Sequence, residues 1–61
     1  MKHTAVQKAE AAEREVKYRK RVYAGLVDRG KMDRDFADRQ ISIMQEIADD
    51  YRELAKKDQL I

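Results

Sequence analysis

One interruption governs what this 61-residue chain can fold into. Both of its glycines lie in the segment YAGLVDRGKMDRDF, residues 23–36, and the chain contains no proline. On either side of this segment, apolar residues recur at the three- and four-residue spacing of an amphipathic helix. The sequence therefore predicts a single all-α domain over residues 1–61, in which two helices form an antiparallel hairpin.

The first helix is expected at about residues 5–29. Thr4 followed three residues later by Gln7 is typical of a capping box, which marks the start of a helix. Acidic residues placed four positions before basic ones then support the helix along its length. These pairs are Glu10 with Arg14, Glu13 with Lys17 and Glu15 with Arg19.

The turn is expected at residues 30–33 and the second helix at about residues 34–57. Gly30 follows a long periodic segment, at a position where glycine adopts the left-handed conformation that ends many helices. Asp33 is the best N-cap for the second helix, because its carboxylate can accept a backbone N–H of the first turn. These two residues make the interruption a hairpin turn.

Two other interpretations of the turn fit less well. Counted from Asp28, the third and fifth positions of a calcium loop would be Gly30 and Met32, which offer no side-chain oxygen. A DNA-reading helix-turn-helix joins short helices within a domain of at least three, and it stays a minor alternative here. Helix capping explains the acidic residues better, so no metal site is predicted.

The second helix presents more apolar surface than one neighbouring helix can cover. Its apolar residues span an arc of roughly 160°, whereas one neighbour needs about 100°. A chain this short lacks a large core, and without cysteine it has no disulfides, so oligomerisation is expected. We therefore expect two hairpins to dimerise into a four-helix bundle. Its core and dimer interface are expected to contain Val16, Tyr23, Leu26, Ile41, Met44, Ile47, Tyr51 and Leu54.

Charge and hydropathy limit how the helices can pair and where in the cell the protein is expected. Residues 1–31 carry nine Lys or Arg and four Asp or Glu, a net charge of +5. Residues 32–61 carry five and eight, a net charge of −3, and this asymmetry favours antiparallel pairing. No apolar run approaches the ~20 residues that span a bilayer, and the charged start of the chain does not match a signal sequence. We expect a cytoplasmic protein with no membrane partner.

The residue types that perform catalysis are scarce. His3 is the only histidine, Ser42 is the only serine and there is no cysteine. Nucleophilic catalysis needs a base beside the nucleophile, and no histidine is near Ser42 in the sequence. The sequence predicts no catalytic residue, no cofactor and a protein that is not an enzyme.

A candidate partner-binding face lies on the outer side of the first helix. Tyr18, Arg21, Val22, Gly25 and Arg29 share that side at helical spacing. Tyrosine and arginine are enriched among the residues that dominate the energetics of protein interfaces. Gly25 costs about 1 kcal/mol inside a helix and would let another backbone approach. The alternative is that Tyr18 and Val22 border the interface of the bundle itself.

The basic run KYRKR, residues 17–21, supports a second functional hypothesis. Lys17, Lys20 and Arg21 could contact phosphates in a helical-hairpin dimer that binds RNA or DNA. On a helix, however, the side chains of such a run spread around the cylinder. A solvated helix face is therefore the alternative to a nucleic-acid site.

The block RVYAGLVDRGKMDRDFADRQISIMQEIADDYREL, residues 21–54, resembles small uncharacterised helical-hairpin proteins encoded in bacteriophage and prophage genomes. The resemblance rests on RVY before the glycine-lysine-methionine turn, then on ADRQISIM and IADDY. It implies a helical hairpin and a protein that binds, and inhibits or modulates, a host protein. The first twenty residues lie outside the resemblance, and it carries no functional residue over to this chain.

Overall fold

The computed structural model describes residues 2–59 of the chain. They form two α-helices, α1 (Ala5–Asp28) and α2 (Arg34–Gln59), which pack against each other as an antiparallel hairpin. The predicted all-α hairpin is confirmed, although α1 ends slightly earlier and α2 extends slightly further than expected. The molecule measures 48 × 19 × 15 Å, so the hairpin is a single layer of helices and both of its broad faces are open.

The start of α1 is fixed by the predicted capping box. The Thr4 hydroxyl accepts the Gln7 backbone N–H at 3.1 Å, and the Gln7 side-chain oxygen accepts the Thr4 backbone N–H at 2.9 Å. Two of the N–H groups that have no partner inside the helix are thereby satisfied. An N-cap of this kind stabilises a helix by about 1 kcal/mol.

The end of α1 is a Schellman motif built on Gly30. The Gly30 N–H donates to the Val27 carbonyl at 3.0 Å, and the Lys31 N–H donates to the Leu26 carbonyl at 2.8 Å. Gly30 has φ = 71°, the left-handed region that non-glycine residues rarely adopt. The glycine therefore ends α1, as the sequence predicts, and allows the chain to reverse.

Asp33 begins α2 in the predicted capping role. Its carboxylate accepts the Phe36 backbone N–H at 3.2 Å, and its carbonyl accepts the Ala37 N–H at 3.0 Å. Asp35 adds negative charge to the first turn of α2, where the helix dipole favours it. The acidic residues of the turn thus stabilise the helix start.

Alanines fill the contact between the two helices. The buried residues are Ala9, Ala12 and Val16 of α1 and Ala37, Ala48 and Ala55 of α2, all at most 6% exposed. We call this set the alanine seam. Because alanine has the smallest side chain that still packs, the two backbones approach closely along this line.

The larger apolar residues lie at the edges of the seam or outside it. Of the eight residues predicted for the core and dimer interface, only Val16 is buried in the hairpin. Ile47 and Leu54 are exposed, and the other five are half-buried: Tyr23, Leu26, Ile41, Met44 and Tyr51. A bulky side chain on the line of closest approach would push the helices apart, so the bulky residues cannot occupy it.

Polar contacts connect the helices on both sides of the seam. Arg52 donates two hydrogen bonds to the Glu13 carboxylate, at 2.6 and 3.0 Å, so Glu13 pairs across the hairpin rather than with Lys17 as predicted. On the other side, Arg19 donates to the Gln40 carbonyl at 3.0 Å. The predicted pair of Arg19 with Glu15 does form, at 3.0 Å.

Candidate interaction surfaces

Four large apolar side chains form an exposed line along α2. Phe36, Ile43, Ile47 and Leu54 follow one another at intervals of seven, four and seven residues. At 100° per residue these positions fall within an arc of about 40° and extend about 27 Å along the helix. The four side chains are between 38% and 48% exposed. We call this line the apolar stripe.

The apolar stripe and the alanine seam are two different sides of α2. Helical geometry places the stripe about 100° around the helix from Ala37, Ala48 and Ala55. Gln40, which receives the hydrogen bond from Arg19, lies between the two sides. A second helix packed on the stripe would therefore contact α2 about 100° around its axis from α1, and not on the side directly opposite α1.

The outer face of α1 carries one large exposed anchor. Tyr18 is 51% exposed, and Arg21 and Arg29 are also exposed. Gly25 is half-buried because the Arg29 guanidinium lies over it, 3.4 Å from where a Cβ of residue 25 would stand. Another backbone could reach Gly25 only after the Arg29 side chain moves aside.

Val22 lies closer to α2 than the other four residues of the predicted partner-binding face. It is half-buried, and it follows Arg19 and precedes Leu26 at the i, i+3, i+7 spacing of one helix side. Arg19 contacts α2, so this side of α1 turns toward the edge of the apolar stripe. The outermost surface of α1 is thus formed by Tyr18 with its two arginine neighbours.

The basic residues of α1 divide into two groups. Arg14, Lys17 and Arg21 are exposed at i, i+3, i+7 spacing and form one basic row, of which the sequence hypothesis missed Arg14. Lys20 borders a groove between the helices that is also lined by Asp38. Asp28 and Arg34 also line this groove, so its charges are balanced and Lys20 does not extend the basic row.

Groups with chemical reactivity are dispersed over the molecule. His3 and Ser42 are both exposed; His3 precedes α1, and Ser42 lies within α2. Within residues 2–59, no group of three or more His, Asp or Glu residues is arranged to hold a metal ion. Neither described helix combines the length and the apolar character needed to cross a membrane.

Comparison with known proteins adds no functional assignment. No protein-family model matches the chain, and no curated protein or solved structure shows significant similarity to it. The function must therefore be inferred from the surfaces themselves. Within residues 2–59, two surfaces present large exposed apolar side chains, namely the stripe of α2 and the Tyr18 face of α1.

Proposed function

We propose that this protein is a non-enzymatic interaction module that binds another protein through an exposed helical surface. The observation that carries the proposal is the reversed distribution of apolar side chains. Small residues fill most of the interior of the hairpin, while Tyr18 of α1 and the four side chains of the apolar stripe of α2 remain outside. A contiguous exposed apolar surface such as the stripe marks a site of protein association, and Tyr18 adds a second, separate apolar surface.

The partner contact proposed here is the outer face of α1. Tyr18 is its anchor, because a tyrosine provides a large, rigid apolar area together with a hydroxyl that can form a hydrogen bond. Arg21 and Arg29 flank it as exposed cations that can pair with carboxylates of the partner. Gly25 forms the shallower part of this face beneath the Arg29 side chain, and half-buried Val22 lies at its border toward α2.

The proposed partner is a protein of a host cell, which this chain inhibits or modulates from the host cytoplasm. This part of the proposal rests on the resemblance to small phage and prophage proteins that we infer from the sequence of residues 21–54 alone.

Self-association completes the proposal. A homodimer built as a four-helix bundle would cover the apolar stripe of α2, which α1 does not reach. The outer face of α1 would then remain free on both copies. The dimer would therefore offer two Tyr18 surfaces to its partner.

The partner contact is tested by capture from host lysate with tagged wild-type protein and a Tyr18→Ala variant. Removal of an interface anchor costs about 2 kcal/mol, so we expect Tyr18→Ala to weaken the captured complex roughly thirtyfold. Ser42→Ala, an exposed change on α2, is the control and should bind normally. If Tyr18→Ala retains every partner with undiminished affinity, the proposed contact is wrong.

The alternative function is binding of RNA or DNA, and the basic row Arg14, Lys17 and Arg21 favours it. Contacts to phosphates release counterions, so affinity for nucleic acid should fall steeply between about 50 and 200 mM salt. A Lys17→Ala, Arg21→Ala double variant should weaken the binding further and reduce the salt dependence. Failure to detect binding to mixed RNA and DNA at about 50 mM salt removes this alternative.

A further inference from the structure

The structure points to one geometry for self-association. We infer that a second copy of this chain covers the apolar stripe, with α2 antiparallel to the partner's α2 and a two-fold axis at the level of Gln45. The inference rests on the self-association proposed above and specifies its direction and register. Four features of the hairpin support it.

The first feature is the symmetry of the stripe. Its intervals of seven, four and seven residues are the same in both directions along the helix, and their midpoint is Gln45. A two-fold axis perpendicular to α2 at this level places Phe36 opposite the partner's Leu54 and Ile43 opposite the partner's Ile47. The stripe is thus complementary to itself, as an interface between two identical copies requires.

The second feature is the angle between the stripe and the alanine seam. Each helix of a square four-helix bundle contacts two neighbours about 90° apart, close to the ~100° that separates the two sides of α2. The perpendicular two-fold axis places both copies of α1 on the same side of the α2 pair. The two copies of α1 can then contact each other and complete a four-helix bundle. An axis parallel to the helices would leave them on opposite sides, and the bundle would stay open.

The third feature is the charge beside the stripe. Arg39 and Asp50 are exposed on the flank of the stripe that faces away from α1, and neither forms a salt bridge within residues 2–59. The antiparallel arrangement places Arg39 beside the partner's Asp50, and symmetry repeats this pair. Opposite charges beside an apolar interface favour one direction of packing over the other.

The fourth feature is the exposed area. A compact monomer of 7.2 kDa exposes about 4,100 Å², whereas the hairpin exposes 4986 Å². The excess is about 900 Å², and each partner in a stable interface of ordinary size buries about 800 Å². The hairpin therefore exposes more surface than a compact monomer of its mass, by an amount close to what one partner buries in a stable dimer.

Cysteine cross-linking tests the direction, because the chain has no cysteine of its own. The antiparallel dimer holds the two copies of residue 36 about 27 Å apart, but holds residue 36 beside the partner's residue 54. We expect disulfide-linked dimers when F36C and L54C proteins are mixed, and none from either variant alone. S42C, on an exposed side of α2 away from the stripe, is the control.

Charge reversal provides a second test that leaves the stripe intact. R39D places a carboxylate opposite the partner's Asp50, and should raise the dimer dissociation constant about tenfold, since two pairs change sign. The double variant R39D/D50R restores the opposite charges and should return the dissociation constant close to the wild-type value.

Sedimentation equilibrium separates the possible failures. A mass near twice 7.2 kDa at micromolar concentration supports self-association, whereas a monomer mass overturns both the self-association and its geometry. A dimer in which F36C cross-links to itself, or in which the mixture yields no more disulfide than S42C, overturns only the antiparallel geometry. Absence of rescue by R39D/D50R overturns the proposed register. None of these outcomes bears on the Tyr18 contact.

Discussion

The alanine seam and the apolar stripe belong to the same helix and show opposite relations between side-chain size and burial. In the seam, Ala48 is 0% exposed and Ala55 is 2% exposed. In the stripe, about a quarter-turn away, Ile43 is 44% exposed and Leu54 is 48% exposed. The comparison teaches that the contact between the two helices is formed by small side chains, whereas the large apolar side chains of α2 lie outside it.

A seam of alanines has an energetic consequence. Each methyl group buries little apolar area, and the hydrophobic contribution scales with that area, at about 25 cal/mol per Å². The large side chains that would contribute most are in the stripe, where they remain partly in water. A chain of this size has few other sources of stability. We therefore expect the stability of the fold to depend on whether the stripe is covered.

The largest expected effect comes from breaking the stripe with Ile47→Asp. Ile47 is 38% exposed in the hairpin, so the new carboxylate would stay hydrated in a single chain but would be buried in the dimer. Each dimer loses two isoleucines, worth about 1.5–3 kcal/mol each when buried. We expect a monomer mass in sedimentation equilibrium.

Thermal unfolding of Ile47→Asp provides the matching check. The melting temperature of a dimer rises with protein concentration, because dissociation accompanies unfolding. The wild-type protein should show this dependence, and Ile47→Asp should lose it while melting at a lower temperature. Equal concentration dependence in both proteins would mean that the stripe plays no part in self-association.

A smaller effect is expected from overfilling the seam with Ala48→Leu. Ala48 has no exposed surface, so the added atoms must separate the helices or distort the side chains around them, which costs about 1–3 kcal/mol. Urea denaturation should show this loss. Ala11→Leu adds the same atoms at an exposed position of α1 and should change stability by less than about 0.5 kcal/mol.

The concentration dependence of Ala48→Leu distinguishes the two regions further. Because the seam lies within one chain, the variant should still show a melting temperature that rises with protein concentration. If Ala48→Leu and Ala11→Leu destabilise the protein equally, close packing of the seam does not limit the fold.

Both ends of α1 and the start of α2 were predictable from sequence because their signals are local. Thr4 with Gln7, Gly30 and Asp33 each act within a few residues, and each makes the backbone hydrogen bonds that its position implies. The seam was not predictable in the same way. Periodicity assigns alanine and isoleucine to one wide arc, and it does not say which part of that arc meets α1.

Contacts between distant residues explain the remaining differences. Glu13 has Lys17 four residues ahead, yet it binds Arg52, which lies 39 residues away and is brought near only by the hairpin. For the candidate site, helical spacing alone indicates that Tyr18 faces outward. The Arg29 side chain lies over Gly25, and the sequence does not determine the conformation of this long side chain.

The smallest expected effect concerns the Glu13–Arg52 pair, which borders the seam on the side away from the stripe. The hydrogen bonds and positive charge of Arg52 hold the pKa of Glu13 below its ordinary value of 4.5. Because the pKa is lower in the folded state, the pair contributes fully to the free energy of unfolding above about pH 4.5. The contribution is lost as the pH falls below that value, through the pKa of the folded protein.

Glu13→Gln removes this dependence, so its melting temperature should fall less steeply than that of the wild-type protein as the pH drops below about 4.5. The effect is small because both side chains are about 40% exposed and solvent screens the pair. Glu15→Gln, which removes the carboxylate bound to Arg19 beside the stripe, is the matched comparison. Arg52→Gln should resemble Glu13→Gln, since either change removes the same pair. If the wild-type and Glu13→Gln curves run parallel from pH 5 down, the Arg52 pair contributes nothing to the seam, and the alanines alone hold that side of the hairpin.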